Sequence, residues 1–222
     1  MQYKLLAIST LAAALMIGCT SEQKMVKKDP APAPAAKAKP AAKAKPALMV
    51  GASARMLAET CEGCHGTNGN SEGPAIPSIA GMSEDYMMES MESYRDGETK
   101  STIMGRIVKG YTEEEVELMA KFYADQKPVA AKQASNSSKA KTGKGLHKKY
   151  CEKCHSDGGK SVEDDSGLLA GQWIPYLQYT FEDYANNDRE QSKKMKKKMD
   201  ALIAKHGDAG IDSLIQYYAS QK

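Results

Sequence analysis

The chain has 222 residues, room for one ordinary domain or two small ones. Its formal net charge of +3 is too near balance to argue for nucleic acid, and no nucleic-acid motif appears. Aromatic residues make up 6% and methionines number 13, so a core must lean on Met as a soft filler or be filled by something other than side chains.

Residues 1–19 read as a signal peptide. "MQYK" is a short basic start, and "LLAISTLAAALMIG" is an apolar run of 14 residues, too short and too weakly flanked for a good membrane-spanning helix. The run ends in "LMIGCT", the pattern of a lipoprotein signal in which Cys19 becomes the lipidated N-terminus. Met16 stands where that pattern has Leu, and ordinary cleavage near "LAAA" would leave Cys19 as a free thiol. Either route exports the chain and places it in the periplasm; lipidation of Cys19 would add a membrane tether. Residues 20–47 follow as a flexible linker, dense in Pro, Ala and Lys and without apolar periodicity.

Two bodies come next, 48–128 and 143–222, joined by an inter-domain linker over 129–142. They repeat. "CEGCH" at 61–65 returns as "CEKCH" at 151–155, an offset of 90 residues. "IAG" ends 16 residues after His65, and "LAG" ends 16 residues after His155. "KFYADQK" at 121–127 returns as "QYYASQK" at 216–222. So many fixed offsets mark a duplication.

Each body predicts three helices. In the first, one runs over 48–65 into the cysteine motif. A second starts at the cap Ser83 and ends near Gly97, and a third opens on a capping box of Thr112 and Glu115. The second body predicts helices over roughly 143–154, 172–186 and 209–220, with a turn-rich insertion in "IAKHGDAG". The fold class is all-α, two tandem helical bundles. Their cores are thin for their size, and something bulky and apolar is missing from the sequence.

C-x-x-C-H is the attachment signature of c-type haem. Two thiols reach the two vinyl groups of a porphyrin, and the adjacent His lies under the iron. A zinc shared between the two C-x-x-C pairs would leave both histidines unexplained. A thioredoxin-like pair would open a helix after a strand, whereas each motif here closes a helix. Four disulfide cysteines would not need the histidines either. Haem explains all of the residues and supplies the missing core. Cys61 and Cys64 then bind one haem with His65 on its iron; Cys151, Cys154 and His155 bind the other.

A sixth ligand from Met is the usual partner in electron carriers. In the first body Met104 lies in the expected loop, while Met82, Met87, Met88 and Met91 fall at or in the second helix and read as packing. The second body offers Met195 and Met199. Counting back from the last helix favours Met199, and counting forward from Gly171 favours Met195. The local pattern decides: Met104 is followed by Val108 and Tyr111 at +4 and +7, as Met195 is by Met199 and Leu202. Met195 is the ligand on this reading, with Met199 as the alternative. His147 and His206 read as surface residues.

"CEGCHGTNGNSEGPAIPSIAGM", "STIMGRIVKGY", "LHKKYCEKCHSDGGK" and "LLAGQWIPYLQYTFEDY" resemble the two-haem cytochrome subunits of flavocytochrome c sulfide dehydrogenases, over about residues 50–222. The resemblance implies two class I cytochrome c domains. It also implies a flavoprotein partner whose FAD oxidises sulfide, and transfer of electrons through the haems to a soluble acceptor such as a small cytochrome. No catalytic residue is expected in this chain itself. A stand-alone two-haem carrier serving a terminal oxidase is the competing expectation. Residues 1–47 are not part of the resemblance. Gly73-Pro74 lies where such domains use a backbone carbonyl to orient the proximal His, and Asp164 is its counterpart in the second body. Tyr94 and Tyr184, each 13 residues after the repeated glycine, either line the contact between bodies or pack in the haem pockets. The Lys193–Lys198 cluster reads either as a solvated rim or as a dock for an acidic redox partner.

Overall fold

The structure is a computed structural model that describes residues 52–163 and 166–222, all within one compact unit. The signal peptide, Cys19, the first linker and Asp164 lie outside the described residues. Among the described residues the structure is helical and has no strand.

Local signals start each helix of the first body. Helix α1 (Ala54–His65) begins at Ser53, whose hydroxyl accepts from the Met56 amide. Helix α2 (Glu84–Asp96) is capped by Ser83 in the same way and stops at Gly97, which takes a left-handed φ of 80°. A short α3 (Met104–Ile107) follows. Helix α4 (Glu113–Ala124) opens on the expected capping box: Thr112 Oγ1 accepts from the Glu115 amide at 3.1 Å, and Glu115 Oε2 accepts from the Thr112 amide at 2.8 Å. Leu57, Val108, Val116 and Met119 close one side of α1, and Ala58, Met82, Met87 and Tyr123 the other. Met88 and Met91 are half-buried against both groups, so Met82 and the three methionines of α2 all pack.

The second body departs from expectation in three places. First, α5 spans Ser137–Tyr150 behind an Asn136 cap, so the latter part of the 129–142 segment is helical. The rest is tied down: the Ala131 amide donates to the Gly171 carbonyl at 2.8 Å, and Gln133 Nε2 donates to the Gln172 carbonyl at 2.7 Å. Second, α5 ends before Cys151, whereas α1 continues through its own cysteine motif to His65. The turn α6 (Ser156–Gly159) follows at once, with Asp157 and Gly158 at positive φ. Third, the predicted loop over 203–210 is absent. After α7 (Ile174–Asn186), α8 runs from Lys193 to Ser220 with one break at Gly207, at φ 54° and ψ −156°. Leu202, Leu214 and Ile215 keep an apolar face on both sides of the break, so burial continues the helix and one glycine absorbs the extra residues.

The two bodies are joined by more than the chain. Gln172 is 1% exposed. It accepts from the Ser78 amide at 3.0 Å and donates to the Ser78 carbonyl at 2.7 Å. Beside it Trp173 Nε1 donates to the Ser71 carbonyl at 3.0 Å. The Trp173 ring lies so close on Gly73 that a Cβ there would meet it at 2.3 Å. Leu168 of the second body packs into the same cluster as Met82 and Tyr123 of the first.

Candidate functional site

Helix α1 carries Cys61, Cys64 and His65 on its last turn. His65 is buried, and its Nδ1 pairs with the Pro77 carbonyl at 2.9 Å. As an N–H donor there, the ring leaves Nε2 free as a ligand. Burial pushes its pKa down, partly opposed by that carbonyl, so the ring is held neutral as an iron ligand must be. The orienting carbonyl is therefore that of Pro77, not one at Gly73-Pro74. The loop explains the shift: the Ile79 and Ala80 amides both donate to the Gly69 carbonyl, at 2.7 and 3.1 Å, which folds residues 69–80 back over the histidine.

His155 is built differently. Its Nδ1 is enclosed and has no hydrogen-bond partner among the described residues. Burial, with a smaller contribution from nearby His147, pushes its pKa down to about 4. His147 and His206 are not surface residues. His147 is 2% exposed, with Nδ1 3.0 Å from the Tyr218 hydroxyl. His206 is half-buried with Nε2 3.4 Å from the Tyr150 hydroxyl. The lysines around His147 hid a position that the duplication equates with the buried Leu57.

The four motif cysteines form no disulfide with one another; Cys61 and Cys151 are half-buried, Cys64 and Cys154 exposed. Burial pushes the Cys61 and Cys151 thiols up. Among the described residues no three His, Cys, Asp or Glu side chains gather around a point. The residues present fit covalent haem: paired thiols, a neutral imidazole beside each pair, and an apolar cluster at each motif.

Met104 is the first residue of α3 and is half-buried, between exposed Ile103 and Ile107. Gly105 lets α3 approach α2, since a Cβ there would lie 2.9 Å from the Tyr94 carbonyl oxygen. Met195 sits in the first turn of α8, its amide donating to Ser192 Oγ at 3.2 Å. It is half-buried against the cluster that also takes Cys151. Met199, one turn on, is 7% exposed and belongs to that core. The lysines 193–198 are exposed on a helix rather than on a loop rim.

The sequence reading gave Arg189 no role. Its Nη1 donates to the Tyr94 hydroxyl at 3.3 Å and its Nη2 to the Tyr86 hydroxyl at 3.1 Å, while its guanidinium carbon lies 5.6 Å from the Tyr184 ring centre. Tyr94 and Tyr184 thus meet through it at the contact between the two bodies. Burial pushes the Tyr184 phenol up to about 12. A lone arginine in a loop gives no sequence signal of such a cluster.

The family model for cytochrome c matches residues 50–126. The cytochrome subunit of sulfide dehydrogenase from Chlorobaculum tepidum is 44% identical over 70 residues, which is 32% of this chain and 63% of that protein. The chain thus spans less than two thirds of that relative's length. Cytochrome c-554(548) of Halomonas halodenitrificans is 34% identical over 70 residues, 30% of this chain and 84% of that protein. The crystal structure of reduced cytochrome c4 from Pseudomonas stutzeri superposes with a TM-score of 0.65 at 22% identity, over 77% of this chain and 100% of the other. That likeness covers the fold of both bodies.

Proposed function

The chain belongs to the cytochrome c family, and from that premise we propose that it carries two covalently bound haems and works as the electron-accepting subunit of a sulfide-oxidising flavocytochrome. The observation that carries the reading is the duplicated motif, with a neutral histidine in each copy beside its own apolar cluster. Cys61 and Cys64 hold the first haem, and Cys151 and Cys154 the second. His65 and Met104 ligate the first iron, and His155 and Met195 the second. When bound, each haem supplies a one-electron ferric–ferrous couple. The protein's part is to fix the ligands, exclude water with the apolar clusters and hold the two bodies together. Identity to a sulfide dehydrogenase cytochrome subunit supports a flavoprotein partner, with FAD there and not in this chain. A soluble acceptor takes the electrons onward. Work takes place in the periplasm, with Cys19 as a lipid tether. Among the described residues no helix is long and apolar enough to cross a membrane.

One preparation tests the reading. The chain is purified from its native source and its haem counted by the pyridine haemochrome assay, then sulfide is added to the extract. Two haems per chain, a co-purifying flavoprotein and sulfide-dependent haem reduction are expected. A chain with two haems that purifies alone, with no response to sulfide, would make it a stand-alone carrier; fewer than two haems would overturn the di-haem reading.

A further inference from the structure

The two motif histidines sit in different surroundings. In the first body, His65 Nδ1 pairs with the Pro77 carbonyl at 2.9 Å. The offset of 90 residues that links the motifs also links Gly81 to Gly171, and it puts Gly167 at the place of Pro77. The second loop closes at its base as the first does, with the Leu169 and Ala170 amides both on the Gly159 carbonyl at 3.0 Å. Its tip runs elsewhere. Ser166 Oγ bonds to the Cys154 and Glu163 carbonyls, at 3.0 and 2.7 Å, which draws that segment along the cysteine motif. No carbonyl of the described residues reaches His155 Nδ1.

The same offset equates His147 with Leu57. Both are buried, but only His147 brings polar atoms. Its Nδ1 lies 3.0 Å from the Tyr218 hydroxyl, and its Nε2 is enclosed with no hydrogen-bond partner among the described residues. The backbone folds His155 back toward it: the His147 carbonyl takes the Cys151 and Glu152 amides at 2.8 and 3.0 Å, and the Cys151 carbonyl takes the His155 amide at 3.0 Å. The two rings are near enough that His147 contributes to the lowered pKa of His155. The body without the orienting carbonyl thus has an imidazole where the other has leucine, and each of the two imidazoles has one enclosed, unpaired nitrogen.

Only one pair of tautomers satisfies both rings. A histidine that gives Nε2 to iron carries its proton on Nδ1 and needs an acceptor there. His147 Nε2 accepts only when its own proton is on Nδ1, and the Tyr218 hydroxyl can accept that proton. The other tautomer of His147 would set two donors against each other at a buried site, which is costly. We propose that His147 orients the second iron ligand: its Nε2 accepts the Nδ1–H of His155, directly or through one bridging water, in the role that the Pro77 carbonyl fills for His65. The proposal rests on the two-haem reading, so haem per chain is counted first, and a wild type with fewer than two would count against that reading alone. His147 acts on the iron only through His155 and is a positioning residue. A ligand whose N–H is engaged by an acceptor is a better electron donor and favours ferric iron, so the bond holds the second potential down.

The test uses holoprotein carrying His147→Leu, which copies Leu57, or His147→Gln, which keeps an acceptor near the place of Nε2. Each is titrated spectroelectrochemically, and the ferric form is examined by electron paramagnetic resonance. In His147→Leu one midpoint potential rises, and one low-spin ferric signal changes its g values as the imidazole plane turns. The other haem stays as in the wild type. His147→Gln keeps both potentials and both signals close to wild type. Nitrogen-15 NMR of the reduced wild type shows His147 protonated on Nδ1 alone. If His147→Leu does not mature, Tyr218→Phe, which removes the group fixing that tautomer, gives the same rise at smaller amplitude. Unchanged potentials and signals in His147→Leu, with only a lower thermal midpoint, would make His147 a core residue and overturn the proposal. So would a proton found on His147 Nε2, or a His147→Gln variant that shifted as far as His147→Leu.

Discussion

Met195 and Met199 stand one turn apart on α8, yet their surroundings differ. Met199 is 7% exposed inside the second core, while Met195 lies half-buried at its edge, in the first turn behind the Ser192 cap. A core position needs only volume, and an edge position can turn its sulfur toward a ligand. Met195→Leu is expected to abolish the near-infrared methionine-to-iron band of the second haem. Met199→Leu should leave the band intact and cost less than about 1.5 kcal/mol, the usual penalty for a volume-conserving swap. Optical spectra and thermal unfolding of both variants check this; the opposite pattern would move the ligand to Met199. The two C-x-x-C-H motifs and the candidate methionines stood out in the sequence because their spacings repeat through the duplication. The Pro77 carbonyl and Arg189 were not legible, since each acquires its role from a loop path or a neighbour across the junction.

Among the helices, α5 and α8 form the tightest pair. A Cβ on Gly143 would meet the Ser213 carbonyl oxygen at 2.0 Å, so the glycine is the condition of close approach. The sequence reading started this helix at Gly143, whereas the structure starts it at Ser137 and uses the glycine between helices. The same pairing buries His147 against Tyr217 and Tyr218, with ring centres at 5.2 and 5.5 Å. Burial pushes the His147 pKa below its ordinary value near 6.5. The unfolded chain therefore takes up a proton as pH falls through about 6.5, while the folded chain resists it. Stability contributed by neutral His147 is present above that pH and is lost as pH drops toward the lower folded value. His147→Leu, which copies Leu57 of the first body, is expected to flatten the acid side of the stability profile between about pH 6.5 and the lower folded value. Denaturant unfolding at a series of pH values measures this, and an unchanged slope would assign the acid sensitivity elsewhere.

On the scale of the whole molecule, the all-α duplicated architecture was readable from two motifs and their offsets, but the junction was not, because pairing between repeats leaves no periodicity. The junction is anchored at both ends of α7. Gln172 and Trp173 hold Ser78, Ser71 and Gly73 at one end. Asp188 and Arg189 hold Lys100, Tyr94 and Tyr86 at the other. Gln172→Ala would leave the Ser78 amide and carbonyl without their partner at a buried site, at a cost of about 1–3 kcal/mol. Calorimetry should then resolve two unfolding transitions, one for each body; a single transition at the wild-type temperature would show that Gln172 does not couple them. With 13 residues, α7 is about 20 Å long and separates the two anchor points by that span. Two attachments that far apart remove the swivel that either alone would allow. On the proposed two-haem reading, passage of an electron from one body to the other then needs no diffusional search, and its rate is set by distance and driving force and is indifferent to the viscosity of the solvent.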